Sequence, residues 1–458
     1  MATAALVLAA GEGKRMKSDL PKVAHAILGE PMVRLVIHNA RLAGCERVVV
    51  VTGHGADAVE ALLPGDVDVA RQHEQRGTGH AVMSAEDVLI GVSGSLLVLS
   101  GDSPLLTPET LRRLVDVREE TGAAAVLLTA RPADPTGYGR IVRADDGSVG
   151  EIVEQKDLAP GQELIAEVNT GTYCFDTAAL FDHLHKLECE NAQGEFYLTD
   201  MVAVFRAEGL KVVDVTTDDP QETLGVNSRV QLAEAAKVLQ RRVNETHMLA
   251  GVTMTDPDLV WIGPHVSLGR DVVVEPMSFI LGACEVGDCA RIGPDTRLTD
   301  CVVGEKAVVD SSIGVEARIG AETNVGPRAY LRPGTVLERG AKAGTSVEIK
   351  NSVIGEGAKV PHLSYIGDAT VGRDVNVGAG TITCNYDGKR KHRTVIGDGA
   401  FIGSDTMLVA PVSIGAGAVT GAGSAIAKDV PDGALGIERT EQANVEGWAL
   451  RRAEASDE

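Results

Sequence analysis

The chain has 458 residues and a net charge of −22, because 65 acidic residues outnumber 43 basic ones. The length exceeds that of one ordinary domain, and the negative charge argues against nucleic acid as the main partner. A hydrophobic fraction of 44% allows a large core, while 52 glycines indicate that small and aliphatic side chains build much of it.

The apolar start of the chain does not have the features of a signal peptide, because the basic residues Lys14 and Arg15 follow it rather than precede it. No apolar run reaches the roughly 18 residues that a membrane helix needs. The seven cysteines are scattered and lack zinc-ligand spacing, so we expect reduced thiols. We therefore expect a cytoplasmic protein with no membrane partner.

Short runs rich in valine and leucine alternate with amphipathic segments from residue 4 to about residue 227. This alternation predicts an α/β domain with a mostly parallel sheet that is covered on both faces. Helices are predicted over Pro31–Ala43 and Pro108–Thr121, and added antiparallel strands over Arg140–Val153 and Glu167–Phe175. The predicted parallel strands are Ala4–Ala10, Arg47–Thr52, Ser95–Leu99 and Ala123–Thr129.

A charged helical pattern over Ser228–Leu249 separates this half from a second half of different composition. The predicted organisation is an α/β domain over 1–227, a linker helix over 228–250, a second domain over 251–437 and a tail over 438–458. The acidic end, Glu454–Glu458, is expected to be disordered.

After Gly251 the sequence acquires a period of six, which fits neither a helix nor an alternating strand. Small or β-branched residues stand four positions after the repeated aliphatic residues, and glycine often follows them directly. Such a period predicts a parallel β-helix in which three hexapeptides make each triangular coil. The repeated residues are Ile262, Leu268, Val274, Ile280, Val286, Ile292 and Leu298, then Ile313, Ile319, Val325, Leu331 and Leu337, then Ile396, Ile402, Leu408, Ile414, Thr420 and Ile426.

A glycine pair follows the first predicted strand, in Leu8-Ala9-Ala10-Gly11-Glu12-Gly13, and Arg15 and Lys22 come shortly after it. Glycines at a strand-to-helix turn let backbone N–H groups approach a phosphate, and the two cations can stabilise a transferring phosphoryl group. The pattern is neither a Walker A loop nor a dinucleotide fingerprint.

This string resembles the sugar-1-phosphate nucleotidylyltransferases, and more narrowly the N-acetylglucosamine-1-phosphate uridyltransferases. The resemblance implies catalytic roles for Arg15 and Lys22 and a Mg²⁺ site at Asp102 and Asn227. It assigns the uracil-reading segment to Gln72, Gly77 and Thr78. The implied UTP and UDP-sugar contacts are Leu8, Ala9, Ala10, Gly11, Gly13, Lys22, Gln72, Gly77, Thr78, Gly139, Glu154, Asn169 and Asn227.

In the second half the six-residue register is expected to break between about residues 350 and 395, where polar residues gather. His362, Asn385 and Tyr386 lie in this stretch, followed by the basic run Lys389–Arg393, which is interpreted first as a solvated loop. Breaks in a repeat are typical positions for functional loops.

These strings resemble the glucosamine-1-phosphate acetyltransferase domain that accompanies the uridyltransferase in a bifunctional family, and the resemblance covers nearly the whole chain. It implies a left-handed β-helix, His362 as general base, and active sites between the subunits of a homotrimer. The implied sugar-phosphate contacts are Arg332, Lys350, Tyr365 and Asn376, and the implied acetyl-CoA contacts are Ala379, Asn385, Tyr386, Ser404, Ala422 and Arg439.

The sequence thus predicts a bifunctional enzyme of UDP-N-acetylglucosamine synthesis that uses UTP, acetyl-CoA and Mg²⁺. Two alternatives stay open. One is a sugar-1-phosphate nucleotidylyltransferase whose β-helix only oligomerises, and the other is a non-catalytic subunit of the nucleotide-exchange type. The His362 and Asn385-Tyr386 constellation argues against the first, and the intact Gly11, Gly13 and Lys22 motif argues against the second.

Overall fold

The computed structural model describes residues 3–191 and 193–454. They form two compact units that divide between Arg242 and Val243. This division falls inside the long helix Arg229–Leu249, which confirms the helical pattern predicted from Ser228. The domain boundaries and the linker role of this helix stay predictions. Among the described residues, no helix combines the length and apolar character needed to span a bilayer.

The first unit is built on one nine-stranded sheet, and a two-stranded hairpin lies beside it. The Val- and Leu-rich runs form its central strands because their side chains are buried on both faces. Its strands, together with the hairpin β2 and β3, are β1 (Thr3–Ala9), β2 (Ala26–Ile27), β3 (Glu30–Pro31), β4 (Arg47–Thr52), β5 (Asp68–Arg71), β6 (Ser95–Ser100), β7 (Ala125–Ala130), β8 (Arg140–Arg143), β9 (Val149–Val153), β10 (Val168–Asp176) and β11 (Val212–Thr216).

The order of the sheet is β11-β7-β10-β6-β1-β4-β5, with β8 and β9 added beside β10. Strands β6, β1, β4 and β5 run parallel to their neighbours in this group, whereas β10 is antiparallel to β6, β7 and β8. The mostly parallel sheet and the antiparallel additions are therefore confirmed. Because β1 and β6 are neighbours, the loops that follow them meet at one edge of the sheet.

Helices cover both faces of this sheet, where two separate apolar clusters lie. Helix α4 begins where predicted because Thr107 accepts a hydrogen bond from the Thr110 backbone N–H and Pro108 occupies the first turn. The helices are α1 (Met32–Leu42), α2 (Ala56–Glu60), α3 (Thr78–Met83), α4 (Pro108–Thr121), α5 (Thr177–Leu184), α6 (Met201–Ala207) and α7 (Arg229–Leu249), and the second unit ends with α8 (Trp448–Glu454). Short 3₁₀ turns lie at Lys14–Met16, Lys22–Ala24, Gln162–Leu164, Leu198–Asp200, Pro220–Thr223 and Pro257–Leu259.

The second unit is a parallel β-helix whose short strands stack into three faces. Face 1 contains Thr253–Met254, Val273–Val274, Arg291–Ile292, Val308–Val309, Asn324–Val325, Lys342–Thr345, Lys359–His362, Asn376–Val377, Phe401–Ile402, Val419–Thr420 and Leu435–Gly436. Face 2 contains Val260–Ile262, Ser278–Leu281, Arg297–Thr299, Ile313–Val315, Tyr330–Leu331, Glu348–Lys350, Tyr365–Gly367, Ile382–Cys384, Met407–Val409 and Ala425–Ile426. Face 3 contains Ser267–Leu268, Glu285–Val286, Val302–Val303, Arg318–Ile319, Val336–Leu337, Val353–Ile354, Ala369–Val371, Thr394–Ile396 and Val412–Ile414.

The repeated aliphatic residues stack inside the coils as predicted, with one exception. Ile313 is 44% exposed, and Gly314 takes the inward position between Leu298 and Leu331 of the neighbouring coils. A Cβ atom on Gly314 would lie 2.9 Å from Leu298 Cδ2, so this coil has room only for glycine. The prediction that Ile313 belongs to the core was wrong because the step from the inward Gly314 to the next inward residue, Ile319, has five residues instead of six.

The predicted break of the register between residues 350 and 395 is confirmed for residues 385–393 and is wrong for the rest of the stretch. The coils continue through residues 350–384, but one step in three has five residues instead of six and hides the period. Only residues 385–393 leave the coil, as an excursion between a strand of face 2 and a strand of face 3. The inward residues here are Ile354, Val360, Ile366, Val371, Val377 and Thr383.

The chain leaves the β-helix after Leu435–Gly436 and runs exposed to α8. Residues 455–458 of the acidic end, which were predicted to be disordered, lie outside the described residues, and Glu454 is the last residue of α8.

Candidate active sites

The glycine-rich segment forms a tight turn against the Lys22 segment. Strand β1 ends at Ala9, and Gly13 has a left-handed backbone with φ of 67°. A Cβ atom on Gly13 would lie 2.7 Å from Lys22 Cβ, so glycine is required both for the backbone angle and for the approach. The 3₁₀ turn that follows it carries Arg15, whose side chain is exposed.

Lys22 joins the two residues that were predicted to bind metal. Its ammonium donates to a carboxylate oxygen of Asp102 and to Asn227 Oδ1, the latter at 3.0 Å. Asp102 follows β6, and its backbone oxygen accepts from the Val226 N–H at 2.9 Å, which fixes the Asn227 segment beside it. Lys22 and Asp102 keep only 16% of their side-chain surface exposed. Two oxygen ligands thus converge on one cationic group.

A cavity of about 400 Å³ opens over these residues at the carboxyl ends of β1 and β6. Sequence reasoning had not assigned roles to Glu12, His54, Gln75 or Glu195, which are also part of its wall. Gly13, Arg15 and Asn227 are not among the described lining residues. The wall consists of Leu8, Ala9, Ala10, Gly11, Glu12, Lys22, Val23, His54, Gln72, Gln75, Gly77, Thr78, Ala81, Ser100, Asp102 and Glu195.

One of the predicted sugar contacts borders a second cavity of about 260 Å³. Glu154 lines it, and the Asn169 backbone N–H donates to the Gly139 oxygen at 2.9 Å, which places these two residues together. The Asn169 amide donates to the Tyr173 hydroxyl at 2.7 Å. Burial raises the pKa of Glu154, whose carboxylate also accepts from Thr199 Oγ1 at 3.4 Å. Such a set of hydrogen-bonding groups suits a ligand that carries several hydroxyl groups.

Four acidic residues of this cavity were missed by sequence reasoning, namely Glu151, Asp157, Glu190 and Asp200. Asp157 and Asp200 line it together with Glu154, and burial also raises the pKa of Asp200. Asp157 follows Glu154 by three residues and its backbone N–H donates to the Glu154 oxygen at 2.9 Å, whereas Asp200 is brought beside Glu154 only by the fold.

In the β-helix, His362 lies on one corner of the coil, in a column of equivalent positions. It is in register with Thr345 of the preceding coil. Ala379 stands two residues after Val377, and Ser404 two residues after Ile402, which is in register with Val377. The Asp405 N–H donates to the Ala379 oxygen at 2.7 Å, and the Gly423 N–H to the Ser404 oxygen at 2.8 Å.

We call this column the His362 column, and it consists of Thr345, His362, Ala379, Ser404 and Ala422. Arg439 extends it, because its guanidinium donates to the Ala422 oxygen at 3.1 Å. The predicted general base and the predicted acetyl-CoA contacts Ala379, Ser404, Ala422 and Arg439 therefore follow one edge of the β-helix.

The predicted cations lie at the next corner of the same coils, where face 2 ends. Lys350 is 3.7 Å from Asp368, and Asn385 Nδ2 donates to the same carboxylate at 2.5 Å. Burial would raise the pKa of Asp368, but hydrogen bonds from Asn351 and Asn385 and the Lys350 charge outweigh it and lower that pKa. Tyr365 reaches this cluster, since Asn385 Nδ2 lies 3.5 Å from its hydroxyl.

The remaining predicted contacts lie around this corner or on another face. Arg332 forms an ion pair with Glu348 at 2.8 Å, at the end of a face 2 strand. Asn376 is on face 1, in register with Phe401. Tyr386 is 60% exposed in the excursion and donates to the Gly388 oxygen at 2.7 Å.

Lys391 is a further candidate that sequence reasoning had treated as part of a solvated loop. Its side chain is exposed, yet its ammonium lies close to that of Lys350, which lowers the pKa of Lys391. Asp387 holds the excursion in place by accepting backbone hydrogen bonds from Lys389 and Arg390, and its pKa falls to about 2 through these bonds and through His392. Two neighbouring ammonium groups form a natural binding site for a phosphate dianion.

Family comparisons agree with this division of the chain. The MobA-like NTP transferase domain family matches residues 5–197, and the bacterial transferase hexapeptide family, with six repeats, matches residues 393–428. These matches confirm the predicted nucleotidyltransferase fold followed by a left-handed β-helix. A solved UDP-glucose pyrophosphorylase complexed with UDP-glucose is a distant likeness, with a TM-score of 0.41 and 20% identity over 53% of this chain and 100% of that chain.

Several curated relatives match almost from end to end. The bifunctional protein GlmU of Heliobacterium modesticaldum is 52% identical over 99% of both chains. Those of Trichlorobacter lovleyi and Desulfitobacterium hafniense are 48% and 51% identical, each over 98% of this chain and 98% and 99% of the relative. Such identity over the full length confirms the predicted family: this chain belongs to the family of the bifunctional protein GlmU.

Proposed function

We propose that the first unit transfers uridylate from UTP to N-acetylglucosamine 1-phosphate, and that the second unit acetylates glucosamine 1-phosphate with acetyl-CoA. The observation that carries this proposal is the presence of two separate sets of reactive groups. In the first unit Lys22 and Asp102 line a cavity, and in the second unit His362 is part of the His362 column. A β-helix that only oligomerises would have no need of the second set.

In the first unit the cavity supplies the groups that an in-line phosphoryl transfer needs. The backbone of Leu8–Gly11 lines one wall, and Lys22 stands at the carboxyl end of β6 beside Asp102. A phosphate oxygen of the sugar phosphate attacks the α-phosphorus of UTP, the bond to the β-phosphate oxygen breaks, and pyrophosphate leaves. Lys22 and the exposed Arg15 then stabilise the charge on the transferring and leaving groups, and no covalent enzyme intermediate is required.

Asp102 and Asn227 fit a divalent cation such as Mg²⁺. A carboxylate and an amide oxygen are hard ligands, and both already point at one positive group, the Lys22 ammonium. A magnesium ion commonly takes one or two protein ligands and completes its shell with phosphates and water. When bound, it would neutralise phosphate charge.

The sugar subsite is proposed to be the second cavity of this unit. Glu154 and Asn169 supply an acceptor and an amide, and Gly139 allows their close packing because a Cβ atom there would lie 3.1 Å from Ile152 Cγ2. The uracil contacts are proposed to be Gln72, Gly77 and Thr78 in the wall of the first cavity.

In the second unit, His362 is proposed to act as the general base. It takes a proton from the C2 amine of glucosamine 1-phosphate as the nitrogen attacks the thioester carbon, and the carbon–sulfur bond of acetyl-CoA then breaks to release the thiol. Because the His362 column runs along one edge, the coenzyme can lie beside Ala379, Ser404 and Ala422 with its reactive end at His362.

The phosphate of this substrate is proposed to bind Arg332 and Lys350, with Tyr365, Asn376, Asn385 and Tyr386 around the sugar and the acetyl group. His362 and this corner lie at opposite ends of face 2, roughly 15 Å apart at a strand rise of about 3.3 Å per residue. One small substrate does not span that distance. A second copy of the chain that brings its own corner to His362 would complete the site.

Assembly as a homotrimer is proposed on the same grounds. Face 2 presents two outward apolar pairs, in which Ile313 is in register with Tyr330 and Tyr365 with Ile382, and Glu348 lies between the two pairs. Ile313, Tyr330 and Ile382 are 44%, 39% and 38% exposed. A stacked apolar surface of this kind suits contact with another copy.

The test measures both half-reactions in one preparation. Thiol release from acetyl-CoA should require glucosamine 1-phosphate and should collapse in His362→Ala, while pyrophosphate release from UTP and N-acetylglucosamine 1-phosphate continues. Asp102→Asn should show the reverse pattern and is the matched control for folding. No thiol release from a wild-type protein that still turns over UTP would reject the acetyltransferase and make the β-helix a scaffold.

A further inference from the structure

The side chain of Gln72 in the nucleotide cavity has both of its amide hydrogens engaged by the protein. Gln72 is 4% exposed and lines the cavity of the first unit. Its Nε2 atom lies 3.1 Å from the Gly77 carbonyl oxygen and 3.1 Å from His80 Nδ1. These two contacts together determine which way the amide faces.

The Gly77 oxygen can only accept a hydrogen bond, so the glutamine atom beside it must be the nitrogen and not the oxygen. The second hydrogen of that nitrogen then points to His80 Nδ1, which must be an acceptor. His80 is therefore the neutral tautomer with its proton on Nε2. With both N–H groups used, the Gln72 carbonyl oxygen is the part of the amide that is left for a ligand.

A fixed carbonyl acceptor discriminates between pyrimidine bases. Uracil carries an N–H donor at N3, whereas cytosine carries an unprotonated nitrogen with a lone pair at the same position. An acceptor placed opposite N3 therefore forms a hydrogen bond with uracil and repels cytosine. A site built in this way rejects a base that lacks the donor, because the buried acceptor would stay unpaired.

His80 is itself held in place by its surroundings. Its ring stacks on Phe196 with a centroid distance of 6.5 Å. The guanidinium of Arg76 lies 5.0 Å from the centroid of the same Phe196 ring. The Ser84 hydroxyl and backbone N–H donate to the His80 carbonyl oxygen at 2.9 and 3.0 Å. His80 is not among the described residues that line the cavity.

We propose that His80 is a positioning residue that sets base specificity by fixing the Gln72 amide with its carbonyl oxygen towards uracil. This inference rests on the proposed uridyltransferase function. Without the acceptor at Nδ1, the Gln72 amide loses one of its two anchors, and only the Gly77 oxygen then opposes the rotation that turns its nitrogen towards the base. An amide that presents either end accepts both pyrimidines.

The experiment compares kcat/KM for UTP and CTP in the full chain with N-acetylglucosamine 1-phosphate as acceptor. His80→Phe keeps an aromatic ring on Phe196 but removes the acceptor, and the preference for UTP should fall by about tenfold or more. The change should lie in KM for UTP, with kcat within about twofold, because the base contact is the same in the ground and transition states. His80→Asn places an amide oxygen near the Nδ1 position and should restore the preference to within about threefold.

Each outcome bears on a separate claim. If the wild type turns over neither nucleotide, the proposed function itself fails. If the wild type uses UTP and His80→Phe keeps the same preference for UTP over CTP, the inference about His80 is wrong. An equal loss in His80→Asn and His80→Phe would also overturn it, because the ring and not its acceptor would then matter. Thiol release from acetyl-CoA should stay unchanged in both variants and reports that the chain is folded.

Discussion

The Lys22 ammonium lies where a divalent cation would bind, so the free protein should bind metal more weakly with Lys22 than without it. Lys22 contacts Asp102 and Asn227 Oδ1, and Lys22 and Asp102 line the nucleotide cavity. A cation that takes these two oxygens must first displace the ammonium. Lys22→Met removes the charge and keeps the aliphatic stem that packs beside Gly13.

The size of the effect follows from the partly buried pair. Lys22 and Asp102 are 16% exposed, so solvent screens their interaction only in part. A hydrogen bond between charged groups in such a place contributes about 1.5–3 kcal/mol. Since about 1.4 kcal/mol corresponds to a factor of ten, Lys22→Met should bind Mn²⁺ or Mg²⁺ roughly 10- to 100-fold more tightly in the absence of nucleotide. Pyrophosphate release should nevertheless fall, because the phosphates lose their cationic partner.

Metal binding is measured on the nucleotide-free protein by Mn²⁺ electron paramagnetic resonance and by competition with Mg²⁺. Lys14→Met is the matched control, because it removes the same charge from the same segment. Lys14 is 79% exposed and pairs with Glu12 at 2.9 Å, so its loss should change the metal affinity by less than about twofold. An affinity of Lys22→Met that equals that of Lys14→Met, or is weaker, would refute the idea that the ammonium occupies the cation position.

Two further predictions concern the β-helix. Gly314→Val should lower the stability of the second unit by about 1–3 kcal/mol in chemical denaturation, because its Cβ would lie 2.9 Å from Leu298 Cδ2. Ile313→Ala should change it by less than about 0.5 kcal/mol, since Ile313 is 44% exposed. The lowered pKa of Asp368 means that its carboxylate stabilises the folded state above the unfolded pKa of about 4, and that this contribution disappears as the pH falls through the folded pKa. The stability difference between wild type and Asp368→Asn should therefore be largest near pH 7 and shrink below about pH 4; a difference that stays constant with pH would contradict this reasoning.

The first unit was predictable because its signals are local. Apolar runs long enough to be buried strands stood where β1, β4, β6 and β7 form, within one or two residues. The polar residues that follow parallel strands meet at one sheet edge, so Asp102 and Lys22 could be expected together. The pairing of Lys22 with both predicted metal ligands could not be expected, because it depends on how the Asn227 segment returns to β6.

The second unit shows how a regular period can mislead. A search for strict six-residue steps finds Ile313, whereas the coil places Gly314 inward, because the step from Gly314 to the next inward residue, Ile319, has five residues. Five-residue steps also hid the coils around Ile354 and Val371, so the predicted break was longer than the excursion over residues 385–393. Pairing between strands on neighbouring coils, which sets the register, is a contact between distant residues that a local pattern does not report.

The length of one coil, and not the hexapeptide, is the period that places the active-site residues. Thr345 and His362 are in register at a separation of 17 residues, and His362 and Ala379 are separated by the same number. Ser404 follows Ala379 by 25 residues, because the excursion from Asn385 to Arg393 lengthens that one coil. When the excursion is left out of the residue count, the spacing of about one coil leads from His362, the proposed general base, to the proposed coenzyme contacts. The excursion also brings Lys391 close to Lys350, at the corner where the substrate phosphate is proposed to bind.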